Sequence, residues 1–264
     1  MANMVRLPNA RLALKCGEPL VFESIDQISG FAINEWKKIA QKTVISKGGF
    51  AVALSGGSTP MHLYRELAGC AELPWDRTHV FLVDERFVPA DHPDSNYRMV
   101  KTTLLDDVSI PAGNVHPIPV EAGSAEAAAL EYEEDLKRHF LLEDGQCPGF
   151  DLILLGIGED GHTASLFPGT ASLDENERLA IAVRSEDVQQ ARVTITFPVI
   201  NNAENVILLA VGKNKAEVVR RILVDKSGSM PAERVEPASG KLLFLLNEAS
   251  GVHLHGGTVS GEVA

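Results

Sequence analysis

Short runs of consecutive apolar residues, closed by glycines or charges and separated by stretches of helical periodicity, constrain this chain more than any other feature. Phe50–Leu54, His79–Val83, Leu152–Leu155, Val206–Val211 and Leu242–Leu246 are such runs. A strand that is apolar on both faces belongs in a sheet covered on both faces. Between the runs, Ile25, Ile28, Ala32, Trp36 and Ile39 recur at helical spacing across 24–42, and Leu63, Tyr64 and Leu67 follow the first glycine loop. Ala125, Ala129, Tyr132, Leu136 and Phe140 make a second long stripe, and 213–223 reads as a further helix. The β-branched run Arg192–Phe197 reads as one more strand. Strands alternating with helices predict an α/β fold with a mainly parallel sheet and helices on both faces.

A chain of 264 residues, 45% of them hydrophobic, can bury a full core, and one domain over residues 1–264 is expected. Ser227–Gly240, rich in Ser, Pro and Glu, is the one linker-like stretch, and with structured neighbours on both sides it reads as a surface loop.

The net charge of -12, with no Lys/Arg-rich run, argues against nucleic acid or an acidic membrane as partner. A small anionic ligand would need a few local cations. No apolar run approaches the ~20 residues of a membrane-spanning helix, and the start lacks the apolar core of a signal peptide. Arg6, Arg11 and Lys15 precede the first acid, Glu18, in the manner of a transit peptide, but Ser content and amphipathic pattern are too low, so a cytoplasmic protein is expected. Cys16, Cys70 and Cys147 are odd in number, far apart and without C-x-x-C spacing, and they read as reduced, largely buried thiols.

In open parallel sheets ligands bind beyond the carboxyl ends of the strands, and four such positions are chemically loaded. Ser55-Gly56-Gly57-Ser58-Thr59-Pro60 can bring backbone N–H groups and a helix N-terminus to an anion. An ordinary tight turn has the same residues, and the sequence does not choose between the two. No Lys follows the glycines, so this is not a nucleotide loop. Asp84-Glu85-Arg86 closes a strand, where Arg86 can pair with phosphate or with an acid, and Asp94–Arg98 is placed on the same rim. Gly156–Pro168 crowds three glycines, Asp160 and His162 at the end of a buried run, offering a base and backbone oxyanion donors. Arg192 and Lys215 supply cations at the expected crevice, although each reads equally well as a surface charge. The remaining histidines show no familiar metal spacing, and no serine sits in G-x-S-x-G, so a hydrolase here would use activated water.

Leu54-Ser-Gly-Gly-Ser-Thr-Pro60, Val83-Asp-Glu-Arg86 with Asp94-Ser-Asn96, and Leu155-Gly-Ile-Gly-Glu-Asp-Gly-His-Thr-Ala-Ser-Leu-Phe-Pro168 resemble, in order, the signature motifs of the 6-phosphogluconolactonases. With Arg192-Val-Thr-Ile-Thr and Gly212-Lys-Asn-Lys215-Ala the resemblance covers nearly the whole chain. It implies a Rossmann-like fold shared with glucosamine-6-phosphate deaminase, and hydrolysis of 6-phospho-D-glucono-1,5-lactone to 6-phospho-D-gluconate with no metal and no organic cofactor. It also implies a phosphorylated sugar lactone as the small-molecule partner and a monomer or weak homodimer. His162 is the implied general base and Asp160 and Asp84 its acidic neighbours, orienting it or the substrate. Ser55, Gly56, Gly57, Ser58, Thr59, Arg86, Arg192 and Lys215 form the implied phosphate-binding set. Two positions depart from the family's pattern: Gln189-Gln190-Ala191 precedes Arg192 where a proline-rich approach is expected, and Asn247 ends the last run where Asp is frequent.

An aminosugar-phosphate deaminase would share the phosphate loop and the D-G-H motif, but those enzymes continue toward Phe-Asn-Glu-Pro and carry D-E-Y in place of Asp84-Glu-Arg86. A non-catalytic sugar-phosphate sensor is the other alternative, since fold does not fix function. Retention of His162, Asp160 and every cation weighs against it.

Overall fold

All five residues of Phe50–Leu54 are buried. Successive side chains of a strand point to opposite faces, so this strand is covered on both. The computed structural model describes residues 17–70, 72–184 and 189–255; Cys16 and the basic residues Arg6, Arg11 and Lys15 lie outside them. In chain order the elements are β1 (Glu18–Phe22), α1 (Ile25–Lys47), β2 (Phe50–Leu54), α2 (Ser58–Ala68), β3 (Thr78–Leu82), β4 (Asp84–Arg86), α3 (Asn96–Thr103), β5 (Val115–His116) and α4 (Ala125–Phe140). They continue with β6 (Leu152–Gly156), β7 (Ala180–Val183), β8 (Arg192–Ile195), α5 (Phe197–Asn201), β9 (Asn205–Ala210), α6 (Ala216–Arg220), β10 (Lys241–Asn247) and α7 (Glu248–Gly251). Seven strands form one sheet in the order β1-β10-β9-β6-β2-β3-β5, and every neighbouring pair is parallel. The expected α/β architecture is present.

Helix α1 begins where the Ser24 hydroxyl accepts from Gln27 N–H and ends at Gly48, which takes φ +82°. It runs five residues past the stripe seen in the sequence. Two tyrosines fix helices to strand ends. The hydroxyl of Tyr132 in α4 donates to Leu82 O at 2.7 Å and accepts from Leu82 N–H at 3.1 Å; that of Tyr64 in α2 donates to Ser55 O at 2.9 Å. Among the described residues no helix is long and apolar enough to cross a membrane. Cys70 and Cys147 are free and only half-buried.

Four elements differ from the sequence reading. The run from Arg192 does not join the parallel sheet: β8 sits in a separate antiparallel sheet, β4-β8-β7, and ends at Ile195. Asp84–Arg86 is itself a strand of that sheet and not only a charged strand end. Ser227–Gly240 is more than a surface loop, because Met230, Ala232 and Val235 are buried in the core. The helical stretch 213–223 divides into a 3-10 turn over Lys213–Lys215, α6, and a π turn over Arg221–Asp225.

One buried acid binds β4 to α3. The Glu85 carboxylate, 1% exposed, accepts from the N–H groups of Arg86, Asn96 and Tyr97, each at 2.7 Å, and from the Ser95 hydroxyl at 3.0 Å. Burial holds this carboxyl above its ordinary value, with the four donors pulling the other way. Four donors need an oxygen acceptor, so the Glu85→Gln amide would turn an N–H group toward another donor. We expect Glu85→Gln to lower unfolding stability by about 1–3 kcal/mol, measured in urea; an unchanged midpoint would show that the carboxylate is replaceable.

At the sheet edge, His79 of β3, His116 of β5 and His139 of α4 pack together against Phe81. Burial, with His79 and His116 beside it and Asp135 opposing, lowers His139 to about 4. Its folded value thus lies below the ordinary ~6.5, so the unfolded chain binds the extra proton between those values. The contribution of His139 to stability is complete above about pH 6.5 and falls as pH drops toward about 4. His139→Gln should flatten the slope of stability against pH in that window, read from urea unfolding at pH 7 and pH 5. An identical slope would discard this linkage.

Candidate active site

From β2 the chain proceeds to β3 and β5 on one side, and from β6 to β9 and β10 on the other. The winding therefore reverses between β2 and β6, and a crevice opens at such a switch point beyond the carboxyl ends. The loop after β2 and the loop after β6 flank it. A cavity of about 620 Å³ occupies this place. Every residue singled out from the sequence as catalytic or phosphate-binding lines it.

The loop after β6 is a tight turn built around His162. Gly158 N–H donates to His162 O at 2.8 Å, Gly161 N–H donates to Gly158 O at 3.1 Å, and Gly161 takes φ +86°. A Cβ at Gly158 would stand 2.2 Å from His162 Nδ1 and 2.5 Å from Asp160 Oδ1. Glycine is required there because the side chains of His162 and Asp160 fill its space. His162 Nδ1 lies 2.6 Å from Asp160 Oδ1, and a carboxylate can only accept, so Nδ1 carries the proton and Nε2 keeps its lone pair. No described residue hydrogen-bonds Nε2. Burial works against ionisation of Asp160, but the hydrogen bond and charge of His162 outweigh it and hold the carboxyl below its ordinary value. The sequence left open which acid orients His162; the geometry gives Asp160. Within this loop Gly158, Gly161 and His162 use their N–H groups inside the turn, the last on Asp160, so these three do not serve as oxyanion donors.

Asp84 is buried and engaged elsewhere. Its Oδ2 accepts from Ser165 Oγ at 2.6 Å and its backbone carbonyl from Asn96 Nδ2 at 2.9 Å. Between Thr163, whose hydroxyl donates to Gly156 O, and Ser165 lies Ala164 with φ +52°. That left-handed conformation is uncommon for alanine, and here it turns Ser165 to Asp84 while Ala164 faces the cavity. The sequence motif contained Ser165 without assigning it a role. Met230 was missed altogether, yet a Cβ at Gly161 would stand 2.3 Å from its Sδ, and Ala232 N–H donates to Gly161 O at 3.0 Å. The supposed surface loop thus braces the His162 turn from behind; a lone buried-side methionine between prolines and serines carries no sequence signal for that.

The cations come from the second sheet. Arg86 and Arg192 are direct cross-strand partners in β4 and β8, a placement that like charges disfavour. Arg86 Nη1 donates to Asp94 O at 2.6 Å, whereas Nε and Nη1 of Arg192 are buried with no hydrogen-bond partner. Burial, with Arg86 beside it, draws the Arg192 guanidinium below its ordinary value, and Asp84, Glu85 and Asp94 pull it back. Ser55 Oγ is likewise buried without a partner. Helix α2 starts at Gly57, φ +109°, with no side-chain cap, so the first-turn N–H groups of Ser58 and Thr59 have no intrahelical acceptor. Gly56 cannot be larger, because a Cβ would meet Asn96 Oδ1 at 1.9 Å. Lys215 reaches the same cavity from the turn before α6. Orphaned donors converging on one cavity fit an oxyanion.

Both departures from the family pattern have a place. Gln190 Nε2 donates to Asp94 Oδ2 at 2.8 Å, and Phe87 N–H donates to Ala191 O, extending the β4–β8 pairing. Asn247 Oδ1 accepts from Gly212 N–H at 3.0 Å and from Ser250 N–H at 3.1 Å.

The family described as glucosamine-6-phosphate isomerases/6-phosphogluconolactonase matches residues 23–244. A 6-phosphogluconolactonase of Synechocystis sp. is 45% identical over 81% of this chain and 88% of its own length, and one of Rattus norvegicus is 40% identical over 78% and 80%. Among solved structures, a 6-phosphogluconolactonase from Trypanosoma cruzi superposes with a TM-score of 0.80 at 31% identity, covering 90% of this chain and 97% of that one. A monomeric glucosamine-6-phosphate deaminase, at 19% identity and a TM-score of 0.74 over 89% of this chain and 99% of its own, shares the fold. By motif order, by match over most of its length and by fold, this chain belongs to the family of glucosamine-6-phosphate isomerases and 6-phosphogluconolactonases.

Proposed function

We propose that the chain hydrolyses 6-phospho-D-glucono-1,5-lactone to 6-phospho-D-gluconate, a step of the oxidative pentose phosphate pathway, by general-base activation of water. The observation that carries this reading is His162, its Nδ1 bound to Asp160 and its Nε2 bonded to no described residue, in one cavity with the unpaired donors of Arg192. Relatives at 40–45% identity that bear the lactonase name support the substrate.

The phosphate sits among Arg192, Arg86, Lys215, the Ser55 hydroxyl and the first-turn N–H groups at Ser58 and Thr59, with Gly56 and Gly57 permitting close approach. His162 Nε2 takes a proton from water as its oxygen attacks the lactone carbonyl. Asp160 stabilises the imidazolium that forms. When the tetrahedral intermediate collapses, the bond to the ring oxygen breaks and His162 returns the proton to that oxygen. A carboxylic acid and a free hydroxyl result, and the acid ionises. A lactone is activated enough that no covalent intermediate, metal or organic cofactor is needed. Asp84 acts on the substrate side through the Ser165 and Asn96 network and not on His162. Residues 1–264 act as one catalytic unit, cytoplasmic, as a monomer or weak homodimer.

With chelator present, His162→Ala should lower kcat by roughly 10²–10⁴-fold, followed as acid release above the spontaneous rate. Undiminished turnover would remove the base. Ammonia release from glucosamine 6-phosphate in place of lactone hydrolysis would overturn the substrate.

Arg192→Ala removes a binding contact shared by substrate and transition state. KM should rise by roughly 10–100-fold with kcat little changed, and inorganic phosphate should inhibit the variant correspondingly less. A fall in kcat at unchanged KM would place Arg192 at the reacting carbonyl instead.

A further inference from the structure

We propose that His79, His116 and His139 form a binding site for a divalent metal ion of the zinc class that clamps the end of α4 to the edge of the parallel sheet. The three lie 37 and 23 residues apart, so spacing gives no sign of the cluster; the topology assembles it. β3 and β5 pair in parallel with Phe81 opposite His116, which puts His79 and His116 on the same face, and the last turn of α4 brings His139 over them. One ring nitrogen from each lies within 4.8 Å of the other two. His79 Nδ1 donates to His116 Nε2 at 3.1 Å, and a metal ion would take the place of the proton they share. Two ligands of a tetrahedral zinc ion, each at about 2.0–2.1 Å from it, stand roughly 3.3 Å apart, so two corners are already in place and a rotation of the His139 ring supplies the third.

The surroundings favour a site over plain packing. His116 Nδ1 lies 2.8 Å from Asp135 Oδ2, so Nδ1 holds the proton and Nε2 presents its lone pair to the cluster. A carboxylate behind a ligating histidine is the recurrent second layer of zinc sites. Phe81 stacks on the His116 ring with centroids 4.0 Å apart and planes 4° from parallel, which fixes the ring's orientation. Neither ring nitrogen of His139 is hydrogen-bonded to a described residue. All three rings are half-buried, so solvent can reach the ion and provide the fourth ligand. None of the three lines the cavity around His162, and the ion has no part in the hydrolysis proposed above.

The test uses the full chain stripped with chelator and titrated with zinc chloride against a chromophoric competitor. We expect one equivalent bound at micromolar or lower concentration, with a rise in melting temperature. His116→Ala and His139→Ala should each weaken binding by at least about 100-fold and Asp135→Asn by roughly 10–100-fold, while His162→Ala leaves it unchanged. Should a variant fail to fold, ¹⁵N spectra of the histidine rings in the unaltered chain decide: zinc must shift the rings of His79, His116 and His139. Failure to bind one equivalent at micromolar zinc would overturn the proposal. So would binding that survives His139→Ala but is lost in His62→Ala, since Asp26, His62 and Glu66 form the other cluster of candidate ligands among the described residues.

Discussion

The chain passes from one sheet to another within a single residue, and the site depends on that passage. Val83 N–H donates to Leu54 O in the parallel sheet, while Val83 O accepts from Ile195 N–H in the antiparallel one. With both hydrogen-bonding groups taken by different sheets, the strand cannot run straight on, and Asp84–Arg86 is diverted into pairing with β8. That diversion sets Arg86 opposite Arg192 at the mouth of the crevice. Two guanidinium groups held as neighbours cost stability when no anion is present, and Asp84, Glu85 and Asp94 offset part of that cost. An oxyanion would remove the rest, which is why the arrangement reads as a binding device and not as incidental pairing.

Two glycines set how close the loops on either side of the switch point can come. Gly56 leaves room for Asn96, which holds the Asp84 carbonyl; Gly158 leaves room for the Asp160–His162 pair. In each case the forbidden atom would occupy the place of a functional side chain, not merely crowd the backbone. In the proposed reading the loop after β2 serves an anion and the loop after β6 serves a base, and the distance between adjacent strands fixes their separation. Met230 and Ala232 close the second loop from behind, so its shape is held by the core and by a backbone hydrogen bond to Gly161.

The parallel sheet was legible because its strands are buried on both faces and so read as unbroken apolar runs; Phe50–Leu54 matches its strand residue for residue. The helices α1, α2 and α4 were legible through their stripes. The antiparallel sheet was not, since its strands have three or four residues and pair charge with charge and Asp84 with Thr194. Of its strands, β8 was read from the β-branched run at Arg192 but assigned to no separate sheet, and the apolar run Ala180–Val183 passed unused. Among site residues, the glycine loops and His162 stood out by their chemistry. Glu85 did not, because a buried acid that accepts four donors and a solvated acid at a strand end look the same until the fold turns α3 back onto β4. The histidine cluster was hidden for a related reason: its members are near only after β5 has been laid beside β3.

For an acidic protein, the binding of a phosphate ester proposed above poses an electrostatic question that distance resolves. The net charge is -12, and at physiological salt the field of exposed charges decays over about 8 Å. The unpaired Arg192 donors, Arg86, Lys215 and the first residues of α2 all line one cavity, and charges at close range in a cleft are screened less than those on the surface. The surface charge then acts mainly on approach, slowing encounter with an anion at low ionic strength. The cavity acts on retention, where the buried guanidinium of Arg192 has no competing carboxylate bonded to it. Affinity and overall charge can therefore have opposite signs in one molecule, provided that the cations stay unpaired, and the β4–β8 pairing keeps Arg192 in that state by holding it beside another arginine.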